Sequence, residues 1–411
     1  MPASRSVTDQ ASALPRPPQA VGLGLAAVIF LIAPISVLAP KGVAVLFAIA
    51  GVLSGVGRFR AVVERPPGKL VALLSVILFW AACSLIWTID RGATLDELAI
   101  LVTVGLGGLM LLSAARTALP EHRRHFKAGL VAGYIVGLLI LAEELLSNGW
   151  LIAHLYPQSG AFYFNQGACT IVLLFWPVAI ILTRAGRWRM AAGLFIATLG
   201  VISLSSSSAS IVGCLGGAMA AIALWWRPKA ALVVTQIVVA GGILFAPLIV
   251  RALPSPETLM PHYTAAMSGA IPRLVIWSYV ADRIEERPLL GWGLNSSRLF
   301  SNNQNPGILD PTWDIISEPL PLHPHNAVLQ WWLELGAVGA ILFGLLLLLT
   351  IRGIGRSPAD PPAKAAALGQ LIAGVLIATV SYGIWQGWWM GALWLSAILT
   401  AGLLSEVRRA A

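Results

Sequence analysis

A proline and two histidines stand just before a long apolar run in the sequence HPHNAVLQWWLELG, residues 323–336. An imidazole exchanges protons near neutral pH. At the mouth of a membrane helix, a neutral imidazole could act as general base on a substrate that stays in the bilayer. We predict this role for His325, placed in the first turn of a helix that begins at Pro324, where the helix dipole favours the neutral ring. The alternative is an interfacial histidine that only hydrogen-bonds its neighbours.

Arginine supplies a second candidate, in a segment of helical periodicity that begins near Pro272. Arg273 would lie in the first helical turn, where its guanidinium and free backbone N–H groups could bind a diphosphate. Trp277 follows one turn later on the same stripe, and Arg298 after a glycine-rich turn is a weaker diphosphate candidate. A solvated arginine near lipid headgroups is the alternative for both arginines.

Several neutral polar residues complete the predicted substrate-binding set. Those beside the histidine and in two other short polar segments are His323, Asn326, Ser206, Ser208, Asn165 and Gln166. The serines could bind a phosphate or sugar, or could equally cap a tight turn. His323 and His325 could form a metal pair, but no further ligand has a useful spacing, so we predict no metal and no cofactor.

The acidic residues give weaker signals. Glu334 is predicted to be a structural hydrogen-bonding residue that faces away from the helix mouth. Asp310, Asp314 and Glu318 could serve as acids or bases, but a solvated loop is the favoured interpretation.

The composition indicates that helices embedded in a membrane position these residues. Hydrophobic residues make up 57% of the 411 residues and charged residues 11%, whereas soluble domains carry about 25% charge. We therefore predict an all-α integral membrane protein with about twelve transmembrane helices and one large periplasmic loop containing amphipathic helices. The predicted spans are 21–38, 43–56, 70–87, 98–114, 128–146, 168–183, 190–204, 210–226, 230–250, 327–351, 365–385 and 388–404.

Charge sets the predicted orientation. Most of the 27 Lys and Arg residues fall in alternate loops and at the termini, so the positive-inside rule places both termini in the cytoplasm. The net charge of +9 thus reflects topology and does not indicate nucleic acid. The predicted divisions are a disordered tail 1–20, a bundle 21–250, a periplasmic catalytic loop 251–324, spans 325–404 and a tail 405–411.

Four stretches together resemble the O-antigen ligase and polymerase family of bacterial envelope glycosyltransferases. They are FYFNQGA (162–168), LSSSSAS (204–210), RLVIWSYVADRIEERPLLGWGLNS (273–296) and HPHNAVLQWWLELGAVG (323–339). The resemblance implies that a glycan is transferred from an undecaprenyl-diphosphate carrier to an acceptor at the periplasmic face of the inner membrane. The reaction of the family needs no metal. It matches His325 to the family's essential histidine and Arg273 to an essential arginine.

Two segments depart from the family pattern. Ala209 and Ser210 follow the serine turn where many ligases have arginine, and Gln166 stands where similar sequences have arginine. Either the diphosphate is bound differently, with Arg298 as a candidate, or the substrate differs.

Several functions remain open at this point. We favour a ligase that transfers glycan to lipid A–core over a polymerase whose acceptor is another lipid-linked unit. A lipid-linked sugar transporter would require internal repeats and intramembrane polar residues, which the sequence does not clearly show. A scaffold of an export complex would tolerate loss of both His325 and Arg273.

Overall fold

The fold is described from a computed structural model over residues 19–55, 68–117, 120–158, 160, 162–259, 270–302 and 320–406. Regular structure in these ranges is helical. The helices are α1 Gln19–Leu38, α2 Gly42–Gly55, α3 Gly68–Cys83, α4 Arg91–Thr117, α5 Pro120–Leu146, α6 Trp150–Leu155, α7 Asn165–Arg184, α8 Trp188–Ser203, α9 Ser208–Trp226, α10 Pro228–Leu244, α11 Ala246–Arg251, α12 Pro256–Leu259, α13 Ala270–Glu286, α14 Ser297–Asn302, α15 Ala327–Arg356, α16 Pro361–Val380 and α17 Gly387–Ser405. A short 3-10 turn, Ser84–Ile86, continues α3.

Membrane-spanning length and apolar composition recur through the described residues. Nine helices there satisfy both criteria, namely α1, α3, α4, α5, α7, α9, α15, α16 and α17. Three shorter apolar helices, α2, α8 and α10, lie at three further predicted spans. The chain is thus a helical, multi-pass membrane protein, as its composition predicts.

Two predicted spans end earlier than expected. The span predicted at 230–250 is interrupted at Phe245, which separates α10 from α11. The span predicted at 365–385 is also too long, because α16 ends at Val380 and residues 381–386 are not helical. Ile384 and Trp385 are buried in the bundle, so their apolar character extended the hydrophobic run although the helix had ended.

Helix α7 forms the centre of the bundle. Its sequence is apolar around the whole circumference, and 83% of the residues in its most hydrophobic stretch are buried. Helices α1, α5, α8, α9, α16 and α17 pack around it. A helix that is hydrophobic on all sides is expected at such a central position.

Glycines let two helix pairs approach closely. Gly129 in α5 faces the Ala26 carbonyl of α1, and a Cβ there would lie 2.8 Å from that oxygen. Gly217 in α9 faces the Gly369 carbonyl of α16, which a Cβ would approach to 2.6 Å. Helix association in membranes depends on such small residues, so these contacts fix α5 against α1 and α16 against α9.

Helix α13 covers one end of the bundle. It packs on α11 and α15 through the buried residues Ile276, Val280 and Ile284. The predicted amphipathic helix is therefore present, and it ends at Glu286 before Pro288, as the sequence indicates. Asp310, Asp314, Glu318 and most of the tail 1–20 lie outside the described residues, and the proposed domain boundaries stay predictions.

Candidate active site

His325 lies just before α15 and not within its first turn, so that prediction was wrong. The helix starts at Ala327, and Asn326 is its N-cap, with Oδ1 accepting from the N–H groups of Val328 and Leu329 at 3.0 and 3.1 Å. Asparagine is among the strongest N-caps, and this places the start three residues later than expected. His325 has a left-handed backbone with φ of 52°.

The hydrogen bonds of His325 determine which ring nitrogen is basic. Nδ1 is bonded to the backbone carbonyl of Ser381. A carbonyl only accepts, so Nδ1 carries the proton and the neutral ring presents Nε2 as its lone-pair nitrogen. Burial lowers the pKa of His325 and the charge of Arg273 lowers it further, against the opposing effect of the Ser381 hydrogen bond. The geometry and the charge environment both favour a neutral base.

His323 holds the turn that carries His325. Its Nδ1 accepts from the His325 backbone N–H at 3.2 Å, and its Nε2 lies 2.8 Å from the side-chain nitrogen of Gln386. Burial, followed by the charges of His325 and Arg298, lowers the pKa of His323 to about 3. Both of its ring nitrogens are engaged, so we assign it a positioning role. Among the described residues no group of three or more His, Cys, Asp or Glu side chains could hold a metal ion.

Helix α13 brings Arg273 towards the histidine turn. Trp277 donates its Nε1–H to the carbonyl of Pro324 at 3.0 Å, which joins α13 to the turn. Arg273 lies one helical turn earlier on the same stripe, and its charge acts on both His325 and Tyr382. Burial lowers the pKa of the half-buried Arg273. The two residues predicted to be catalytic therefore lie near each other at one end of the bundle.

The serine turn and the start of α7 meet beside this site. Ser206 donates to the Asn165 side-chain oxygen at 3.1 Å. Ser207 caps α9 by accepting from the Ser210 N–H at 3.3 Å, which bears out the capping interpretation for this serine. Ser206 and Ser208 are exposed, and Gln166 is half-buried in the first turn of α7.

A chain of weak contacts connects the serine turn with residues 381–386. The hydroxyl of Ser207 lies 3.6 Å from Cys169 Sγ, and the Tyr382 hydroxyl donates to the same sulfur at 3.7 Å. Tyr382 follows Ser381, whose carbonyl holds His325. Ser381, Tyr382 and Gln386 were not predicted as site residues, because they lie within or beside a predicted transmembrane span. Gly383 is the sequence feature that marks this segment as packed closely against another. A Cβ at this position would lie 2.8 Å from His323 Cγ.

The motif PLLGWGLNS forms a loop that docks into a break in α15. We call residues 288–296 the docked loop. Gly336 interrupts α15 with φ 64° and ψ −165°, and three backbone hydrogen bonds bridge the gap. They run from Trp292 N to Leu333 O at 2.9 Å, from Gly293 N to Glu334 O at 2.9 Å, and from Ala337 N to Pro288 O at 2.8 Å. The motif PLLGWGLNS and the helix that follows His325 thus form one unit.

Glu334 links the segments of this unit through hydrogen bonds, in agreement with the structural role predicted for it. The carboxylate is fully buried and accepts four hydrogen bonds of 2.6–2.9 Å. Its donors are the Asn295 backbone N–H, the Ser297 hydroxyl, the Gln330 amide and the Trp385 indole. It therefore joins the docked loop, α15 and the segment that carries Ser381. Arg298 follows directly in α14, is exposed, and acts electrostatically on His323.

Fold and site together define a multi-pass helical membrane protein with a histidine–arginine site at one end of its bundle. A family model described as O-Antigen ligase matches residues 192–344. A Rickettsia conorii protein named "Putative polysaccharide ligase" is 31% identical over 334 residues, which cover 79% of this chain and 78% of that protein. Relatives of the same name from Rickettsia felis and Rickettsia typhi are each 32% identical, with 68% and 67% of both chains covered respectively. The chain belongs to the O-antigen ligase family.

Proposed function

We propose that the protein is a glycosyltransferase that moves a glycan from undecaprenyl diphosphate onto lipid A–core at the periplasmic face of the inner membrane. The observation that carries the proposal is the His325 ring, which is held with Nδ1 on the Ser381 carbonyl and electrostatically coupled to Arg273. Membership of the family favours this enzymatic reading over a transporter or scaffold.

The proposed reaction is a direct displacement at the anomeric carbon. The acceptor hydroxyl gives its proton to Nε2 of His325 while its oxygen bonds to the anomeric carbon. The bond from that carbon to the phosphate oxygen breaks, and the electron pair leaves with the diphosphate. Arg273 stabilises the negative charge of the leaving group. Attack opposite the leaving group inverts the anomeric centre, and the steps that His325 and Arg273 perform require neither a metal nor a cofactor.

A polymerase is the second candidate, because Gln166 and Ala209 replace arginines expected in many ligases. It would use the same donor with a lipid-linked acceptor. The half-buried Gln166 and the exposed Ser206 would then contact part of the glycan. Residues 251–324 would supply the catalytic loop in either case.

The test is complementation of a deletion strain with wild type, His325→Ala and Arg273→Ala, read by lipopolysaccharide gel and by extraction of the lipid-linked pool. We expect each variant to lose at least about 100-fold in transfer, the usual minimum for a general base or a charge-stabilising group. Ligase loss gives bare core and accumulated long polymer on the carrier, whereas polymerase loss gives core with a single repeat.

Matched controls are His154→Ala and Arg187→Ala, exposed residues outside the site. Both should retain the wild-type ladder and the wild-type protein level. Near-normal transfer by His325→Ala and Arg273→Ala would overturn the enzymatic proposal, most directly if carrier flipping failed in the same strains.

A further inference from the structure

The start of α15 and residues 381–386 are joined by two separate hydrogen bonds. One connects Nδ1 of His325 with the Ser381 carbonyl. The other lies further along both stretches of chain, where the Ile384 backbone N–H donates to Oε1 of Gln330 at 2.9 Å. These two bonds and the short stretches of chain between them form a closed ring. The position of the Ser381 carbonyl against His325 therefore depends on the second bond as well as on the first.

The side chain of Gln330 has one orientation that satisfies both of its partners. The Ile384 N–H is a donor, so it must face the amide oxygen. The amide nitrogen then points at Glu334, to which it donates at 2.9 Å. Gln330 is 2% exposed, so water does not compete for either partner. The orientation of this amide is consequently fixed, and with it the position of the Ile384 peptide group.

Residues 381–386 need such contacts because they are not held in a helix. A buried backbone N–H without a partner costs free energy, and Gln330 supplies that partner to Ile384. Trp385 anchors the same segment through its indole, which donates to the buried Glu334 carboxylate at 2.7 Å. Gln330 differs from that anchor because it bonds the main chain itself, in the same turn that presents the carbonyl to the histidine.

We propose that Gln330 is a positioning residue for the general base. By holding residues 381–386 it keeps the Ser381 carbonyl on Nδ1 of His325, which leaves Nε2 free to take the proton of the acceptor hydroxyl. Without this contact the carbonyl would withdraw, and the ring proton would also occupy Nε2, where it removes the lone pair that the base needs. The inference rests on the proposed function for the role of His325 as base, whereas the tautomer can be observed without any transfer.

The first experiment observes the tautomer directly. The full-length protein, with isotopically labelled histidine, is reconstituted in liposomes, and nitrogen NMR spectra are recorded at neutral pH for wild type, Gln330→Met and Trp385→Phe. A spectrum of His325→Ala identifies the His325 signals among those of the 6 histidines. We expect the proton on Nδ1 in wild type and a mixture of both tautomers in the two variants, since each variant loosens the same segment. The wild-type tautomer in both variants would overturn the proposal.

Transfer kinetics then separate positioning from a loss of folded protein. In Gln330→Met, kcat should fall about 10- to 100-fold, with the KM for the lipid-linked donor unchanged. The pH at which the rate falls should also be lower, because the Ser381 hydrogen bond raises the pKa of His325 and its loss removes this effect. A purely structural defect would leave that pH in place.

The matched control is Gln370→Met, the same substitution at another buried glutamine. The Gln370 amide nitrogen donates to the Leu173 carbonyl at 3.2 Å, so this variant also removes a buried hydrogen bond, but away from the histidine turn. It should keep the wild-type kcat and pH profile. An equal loss of kcat in both glutamine variants, or an unchanged tautomer, contradicts the positioning role alone. A changed tautomer with undiminished transfer would support the positioning of the ring and contradict the proposed role of His325 as base.

Discussion

The tautomer and the backbone conformation of His325 are set by its hydrogen bonds. The Ser381 carbonyl fixes the proton on Nδ1, and the left-handed backbone at His325 turns the ring out of the direction that a helical residue would take. The His325 N–H bonded to His323 holds this conformation. A positive φ at a non-glycine residue costs free energy and persists only where surrounding contacts stabilise it. At His325 the hydrogen bonds to His323 and Ser381 supply that stabilisation.

The lowered pKa of His325 leads to a prediction about pH. Because burial and Arg273 lower this pKa, the base should stay neutral below the usual histidine pKa of about 6.5. Transfer should therefore be constant from neutral pH down through that value and fall only in more acidic buffer, as the ring becomes protonated. Initial transfer rates, measured in proteoliposomes across this pH range, locate the pH at which the rate falls. A half-maximal rate above the usual histidine pKa would contradict a neutral-base role for this histidine.

Glu334 should affect stability more than chemistry. Glu334→Gln removes one acceptor oxygen and leaves two of four buried donors without a partner, at a cost of about 2–4 kcal/mol in the free energy of unfolding. Denaturation in detergent, followed by tryptophan fluorescence, measures this loss. Glu285→Gln, in an exposed ion pair with Arg251, is the control and should change stability little. Equal stability of the two variants would refute the structural role of Glu334.

At the scale of elements, the important feature is the joint between the docked loop and α15. A continuous helix would have satisfied its own backbone groups, but the break at Gly336 exposes carbonyls that the loop's N–H groups then bind. The joint is further supported from α3, where the Trp80 indole donates to the Leu335 carbonyl at 3.0 Å. The loop and the histidine turn consequently share one rigid support.

Gly336 should therefore resist substitution. Gly336→Ala places a Cβ against the carbonyl of Leu289, at a backbone conformation that only glycine adopts easily, and should cost about 1–3 kcal/mol. Gly353→Ala in the same helix has nothing within 4 Å and should be neutral or stabilising by about 0.5–1 kcal/mol. Thermal unfolding of both variants tests the contrast, and a tolerated Gly336→Ala would show that the break is not required.

The sequence predicted elements better than it predicted their ends. Apolar length located the helices, and residue chemistry selected His325 and Arg273. Composition could not show that α16 ends at Val380, because buried Ile384 and Trp385 continue the apolar run. Nor could it show the pairing of Pro288–Ala337, since backbone hydrogen bonds leave little mark on side-chain pattern.

At the scale of the whole molecule, α7 sets the distance between the two polar ends of the bundle. Small residues at the helix contacts and an apolar circumference keep α7 central. The basic residues concentrate at the end that carries Arg184, and the candidate active site occupies the other. This separation is the basis for the proposed orientation, with the site in the periplasm and both termini in the cytoplasm.

The orientation can be tested with single cysteines in a variant whose three native cysteines are replaced by alanine. His154→Cys and Arg187→Cys are exposed at opposite ends of the bundle. A membrane-impermeant maleimide on intact spheroplasts should label the first and not the second. Permeabilised cells provide the control, in which both should react. Labelling of Arg187→Cys alone in intact spheroplasts would reverse the proposed topology.

The joint at Gly336 also bears on how such a chain can change over time. Its three bridging hydrogen bonds use peptide groups of Trp292, Gly293 and Ala337, which every residue except proline can supply as donors. Leu289 and Leu290 are exposed beside them. The side chains of Leu289 and Leu290 are therefore free to change while the geometry of the joint persists, whereas Gly291, Gly293 and Gly336 leave no room for a Cβ and must remain.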